Sequence, residues 1–191
     1  MVEGKEDVGF FISLFNSINL TGVQIIPLDG KDKTRAGLTA LRNLPGFDQV
    51  VALGIVRDAD RSAANTFKSV QGALRDVGLS YPQRVGVPRG RGPRVGVFLL
   101  PGHGAAGMLE DLCLRSVADK PQFPCIDRYF RCVNEAGVTR PNQLAKAKLH
   151  VFLASQKKPG LRLGQAARAG YWPFENMVFL PLKRFLQKLY G

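Results

Sequence analysis

Seven consecutive apolar or glycine residues at 50–56 (VVALGIV) constrain this chain more than any other feature. A run of strand length with no polar alternation has no solvent-facing side. It therefore predicts a strand covered on both faces in a mainly parallel sheet. Parallel neighbours need long crossovers, normally helices, and the flanking sequence supplies them. Phe10, Phe11, Leu14, Phe15 and Ile18 fall at helical spacing over residues 6–18, and Phe67, Val70, Leu74 and Val77 do so over 62–77, where Gly78 is placed as a C-terminal cap.

The remaining elements follow from the same periodicities. QIIPL (24–28) reads as a short strand, and DGKDKTRAGLTALRNLPG as a loop and a helix stopped by Pro45 and Gly46. RVGVP (84–88) and RVGVFLLP (94–101) read as two more strands joined by residues 88–93. Beyond residue 104 the pattern becomes helical, at 105–118, 125–136, 142–156, 163–169 and 178–190. The expectation is an α/β core over 1–104, a mainly parallel sheet flanked by helices, with a helical C-terminal extension over 105–191 packed on it. No internal repeat or low-complexity segment is visible.

Charge separates the chain into two parts. Residues 1–60 hold six Lys/Arg against eight Asp/Glu, whereas 61–191 hold 21 against seven, so a net charge of +12 surrounds a small acidic centre. That distribution suits a protein that attracts a polyanion and holds cations where chemistry occurs. No apolar run approaches the roughly 20 residues that span a bilayer, and the first residues are acidic, so a cytoplasmic protein without a membrane partner is expected. Cys113, Cys125 and Cys132 form no CxxC pair and are expected to be reduced packing residues.

The acids lie where ligands bind in open α/β sheets, at the carboxyl ends of strands. Glu3 follows Met1 and Val2, while Asp58 and Asp60 follow the VVALGIV run. Residues two apart in an extended chain project the same way, so the D-x-D pair points both carboxylates to one face, which suits a hard cation such as Mg²⁺. Helix capping by Asp60 is the structural alternative. Glu110 and Asp111 come after VGVFLLP and the loop GHGAAG, and Glu110 is a candidate further metal ligand; both acids equally suit the first turn of a helix.

VEGKEDV (2–8), PLDGKDK (27–33) and IVRDADRS (55–62), in that order, resemble the Toprim domain of primases, topoisomerases, nucleases and ribosomal RNA maturases. The match covers roughly residues 2–100 and is closest to small stand-alone Toprim-like proteins of uncharacterised function. The resemblance implies Glu3, Asp58 and Asp60 as catalytic residues, with Glu3 the general acid/base or a further ligand and the two aspartates binding Mg²⁺ or Mn²⁺. It also implies a DNA or RNA substrate and, as in many Toprim nucleases, an ATPase protein partner. Gly4 would turn the chain at the site, and Asp7 would cap the first helix.

Several cations and one histidine complete the reading. Lys5, Lys31, Arg57 and Arg61 flank the acids and, with Arg89 and Arg91 in the 88–94 loop, are candidate phosphate contacts. His103 ends a strand and suits a surface role better than that of a base; His150 reads as a structural helix residue, and Lys146 and Lys148, two apart, do not share a helix face. A Walker loop and a Cys/His metal cluster are absent from the sequence. The leading expectation is a metal-dependent nuclease. The alternative is a nucleic-acid-binding or regulatory Toprim-like module with weak chemistry, because only Met1 and Val2 precede Glu3 and Ser62 stands where many Toprim proteins carry a third acid. A third reading is an enzyme for a small phosphorylated molecule.

Overall fold

A computed structural model describes residues 1–191, the side chain of Lys31 excepted. Among the described residues the fold is mixed α/β, with eight α-helices and a parallel pair of strands, β1 (Ala52–Asp58) and β2 (Arg94–Leu100). The 50–56 run thus forms the central strand, two residues later than expected and extending to Asp58. Ile55 and Val56 are both buried although they point to opposite faces, as a strand covered on both sides requires.

Short segments widen the sheet on either edge. The Met1 carbonyl accepts from Val56 N at 2.9 Å, and Val2 in turn makes a parallel bridge to Pro27, through Val2 N to Ile26 O and Leu28 N to Val2 O at 2.9 and 2.8 Å. The spatial order is therefore 24–28, 1–2, β1, β2. The expected strand at 24–28 is limited to one bridge, and Pro27 fits there because a proline without N–H is tolerated at an edge. On the far side RVGVP makes no strand. Gly86 N donates to Val97 O and Arg89 pairs with Val95, but Gly86 (φ 76°) and Gly90 (φ 107°) bend the segment out of an extended path.

Each sheet face has its own hydrophobic cluster. Leu53, Ile55, Val95, Val97 and Leu99 pack under α2 (Thr34–Arg42) and α3 (Ala63–Asp76), with Leu38, Val70 and Leu74 among the contacts. Val56, Phe98 and Leu100 face α1 (Lys5–Ser17) together with the C-terminal helices α4 (Leu109–Ser116), α5 (Phe123–Glu135), α6 (Leu144–Ala154), α7 (Leu163–Arg168) and α8 (Leu180–Tyr190). The helical extension is therefore the second layer on the sheet.

Close approach positions two of these helices. A Cβ on Gly54 would stand 2.6 Å from Tyr190 Oη, and one on its strand partner Gly96 2.7 Å from a ring carbon of Phe185, so α8 lies flat against paired glycines. A Cβ on Gly164 would meet the Glu6 carbonyl oxygen at 2.8 Å and Gly9 Cα at 3.0 Å, which makes the crossing of α1 and α7 backbone against backbone. Trp172 then ties α7 to α6, donating from Nε1 to Leu163 O at 3.1 Å while its ring stacks on Phe152 at 5.7 Å. No helix among the described residues is long and apolar enough to cross a membrane.

Cys113 is buried on the inner face of α4, as a packing cysteine should be; Cys125 and Cys132 are not, for both lie on the exposed side of α5 while Ile126 and Phe130 face inward. Ser62 is the N-cap of α3, its Oγ accepting from Asn65 N at 3.3 Å. At that position a short acceptor is what the helix needs.

Candidate active site

A cavity of about 440 Å³ opens where β1 ends, bounded by the first turns of α1 and α4 on one side and by α6 and the start of α7 on the other. Asp58, Glu3, Asp7 and Glu110 line it, together with Lys5, Glu6, Lys146, His150 and Arg162. Thus Glu3, Asp58 and Glu110, separated by up to 107 positions in sequence, share one chamber as expected from their strand ends.

Glu3 is held from the strand beside it. Its Oε2 accepts from Arg57 Nε at 2.8 Å and from Asp58 N at 3.3 Å. Arg57, only 4% exposed, also donates from Nη1 to Thr34 Oγ1. Its guanidinium is therefore engaged within the protein, because alternation along β1 turns Arg57 toward α2 while Asp58 faces the cavity; the expectation of a phosphate contact at Arg57 is corrected to one of orienting Glu3.

Asp58 sits against the first turn of α4, its Oδ1 accepting from Leu109 N at 2.9 Å. That bond favours the carboxylate, yet burial and the neighbouring charges of Glu3, Asp7 and Glu110 outweigh it and push the Asp58 carboxyl up from 3.8 to about 8. Asp7 is raised to about 6 for the same reasons, chiefly burial, even though its Oδ2 accepts from Gly4 N at 2.9 Å and so closes the first turn of α1. Asp111 repeats that bond for α4 through Met108 N at 2.9 Å, which leaves the adjacent Glu110 facing the cavity. Under the same acids lies the Cys113 thiol, raised well above its usual value by burial first. It is inert.

Asp60 departs from the expected geometry. Extended structure ends at Asp58; Asp60 adopts φ 51° and its backbone pairs with Gly107 in both directions, at 2.9 and 2.8 Å. The two-residue alternation that would aim it beside Asp58 is broken, and Asp60 lines an adjoining cavity of about 670 Å³ with Arg61, Ser62, Asn65, Thr66, Met108, Asn142 and Gln143. Lys5 borders the first cavity while pairing with Asp29 at 3.6 Å, and Arg89 and Arg91 line neither cavity. Lys31 lies outside the described side chains.

The opposite wall was not read from the sequence. Lys146 and His150 are one turn apart on α6, and the i, i+4 spacing that places them on one face was present in QLAKAKLHVF. Lys148, by contrast, turns away to Asp127 at 2.5 Å. Arg162 reaches the cavity from the N-cap of α7, where its Nη1 meets Glu6 Oε1 at 2.9 Å.

Carboxylate oxygens beside Lys5 on one wall, facing Lys146, His150 and Arg162 on the other, suit a phosphate ester and a hard divalent ion. Among the described residues no group of three or more His, Cys, Asp or Glu is arranged to hold a metal ion by itself. The donor set fits instead the mode in which one or two carboxylates bind Mg²⁺ and waters and substrate phosphate complete the shell. Asp58, Glu110 and Glu3 are the residues able to supply those carboxylates.

No curated protein and no solved structure matches the chain. A family model matches all of it, residues 1–191, and the chain belongs to that family, DUF3226, described as protein of unknown function.

Proposed function

We propose that this chain is a divalent-metal-dependent phosphodiester-cleaving enzyme of Toprim type that acts on DNA or RNA. The observation that carries the reading is the cavity at the end of β1, in which Asp58, Glu3, Asp7 and Glu110 face Lys146, His150 and Arg162. Parallel strands with acids at their carboxyl ends support the Toprim-like assignment of the sheet, and the basic remainder of the chain suits a polyanionic substrate.

Asp58 and Glu110, with Glu3 beside them, would hold Mg²⁺ or Mn²⁺, which when bound supplies charge neutralisation and an activated water. The protein's own groups do the rest. Arg57 keeps Glu3 in one orientation, so that its second oxygen is available to accept a proton or a ligand bond. Lys146, Arg162 and Lys5, which line the cavity, would neutralise phosphate oxygens, and His150 would donate a hydrogen bond to the same group. Cleavage of labelled single- and double-stranded DNA and RNA with Mg²⁺ or Mn²⁺ tests the reading: Asp58→Asn should reduce the rate at least about a hundredfold, the scale of losing a preorganised transition-state contact. Cleavage unaffected by Asp58→Asn would overturn it.

The engagement of Glu3 by Arg57 and the position of Asp60 outside the first cavity favour a second reading, a nucleic-acid-binding or regulatory module with weak chemistry. Tight binding of nucleic acid without turnover by the metal-loaded protein would select it. An ATPase protein partner, drawn from the Toprim resemblance, belongs with the proposal and is tested by whether cleavage rises when such a partner and ATP are added.

A further inference from the structure

The cavity that holds Asp60 adjoins the carboxylate cavity along three elements at once. Asp58 lines one and Asp60 the other after β1, Glu110 and Met108 divide between them at the start of α4, and Lys146 and Gln143 divide between them at the start of α6. Because the linings stand two or three residues apart on each of these elements, one strand whose phosphate reaches Asp58 can extend over the second cavity. The lining there differs in kind from the first. It holds one cation, Arg61, one acid, Asp60, and the side-chain amides of Asn65, Asn142 and Gln143, which among the described residues make no hydrogen bond to protein. Thr66 lines it too, but its hydroxyl already donates to Ala59 O at 3.1 Å.

We propose that this second cavity is a base-reading subsite: it receives the base of the nucleotide next to the phosphodiester at Asp58, and Asn65, Asn142 and Gln143 hydrogen-bond the edge of that base. An amide presents a donor and an acceptor side by side, the arrangement that pairs with a base edge, while Asp60 accepts from exocyclic amino groups and Arg61 holds the adjoining phosphate. A volume of about 670 Å³ admits a nucleotide, and a base paired in a duplex must first be unpaired and unstacked to enter it, a cost that an unpaired strand does not carry. The substrate is then an unpaired strand, read at one position beside the cleavage site. The assignment rests on the nucleic-acid reading of the carboxylate cavity, and binding separates the two because it needs no turnover.

The test is equilibrium binding of fluorescent single-stranded DNA and RNA oligonucleotides in EDTA, with one interior position varied through the four bases in an otherwise uniform pyrimidine strand, and of the matching duplexes. Strands should bind at least tenfold more tightly than duplexes, and the best and worst bases should differ about tenfold, the scale of one good amide-to-base pairing. Asn142→Ala, in an exposed loop, should flatten the preference among bases while the same protein keeps its affinity for the uniform strand within about threefold. Duplex bound as tightly as single strand, or a base preference unchanged in both Asn142→Ala and Gln143→Ala, would overturn the subsite. Selective strand binding without cleavage under Mg²⁺ or Mn²⁺ would uphold the subsite and sink the nuclease reading; cleavage with equal affinity for all four bases would do the reverse.

Discussion

Asp58 carries an energetic cost that its surroundings do not remove. With its carboxyl at about 8 and that of Asp7 at about 6, against an ordinary 3.8, the folded chain binds these protons more tightly than the unfolded chain does. Their contribution to stability is therefore fully present below pH 4 and is lost as pH rises, through about 6 for Asp7 and about 8 for Asp58. In EDTA the urea midpoint of the wild type should fall between pH 5 and 8.5 relative to that of Asp58→Asn, which keeps the Leu109 contact without an ionising group. The comparison matters because the Met1 amine, lowered by burial to about 5, works in the opposite direction in both proteins. Equal midpoint shifts in the two would show that Asp58 ionises normally. Mg²⁺ should restore the wild-type midpoint at pH 8.5 and leave the variant unmoved. At this scale the expectation gathers Glu3, Asp58 and Glu110 at one place, as the cavity lining does, but sets Asp60 beside them, because the reversal of the chain at a left-handed Asp60 depends on pairing with Gly107, 47 residues away, and leaves no local signature.

Helices were the most legible elements, since a periodic apolar face is a property of the sequence itself. All five C-terminal helices fall inside the expected stretches or within two residues of them, and β1 and β2 form where apolar runs predicted strands. Pairing was harder to read. The segments 24–28 and 84–88 have strand-like composition but make only isolated bridges, the second because Gly86 and Gly90 bend it out of an extended path. The close helix crossings were also hidden, although glycines marked them. Gly164→Ala should destabilise the protein by about 1–3 kcal/mol, the usual cost of forcing atoms into a packed contact, because the nearest atoms are the backbone of Glu6 and Gly9 and cannot swing away. Gly72 is the contrast. It lies within α3 with nothing within 4 Å of an added Cβ, so Gly72→Ala should stabilise by roughly 0.5–1 kcal/mol through helix propensity alone. Thermal or chemical unfolding of the two variants beside wild type checks both signs, and similar effects would contradict the α1–α7 contact.

For the whole molecule, charge was legible and its focus was not. The sequence shows a basic chain with an acidic start, but folding brings Lys146, His150 and Arg162 against acids more than 35 residues distant, which no local pattern specifies. Binding of a single strand should consequently weaken steeply as salt rises from 50 to 200 mM, and Lys146→Ala should lower the slope of log affinity against log salt by about 0.7, the share of one phosphate contact on a single strand. An unchanged slope would place Lys146 away from the bound backbone. The two walls of the cavity come from different parts of the chain: the carboxylates, with Lys5, from the sheet edge and the helices α1 and α4, and Lys146, His150 and Arg162 from α6 and the start of α7 near the other end. Selection can therefore alter α6 and α7, and with them what the protein accepts, while the acids stay as they are. Divergence in substrate range across descendants of this fold has a structural address of its own.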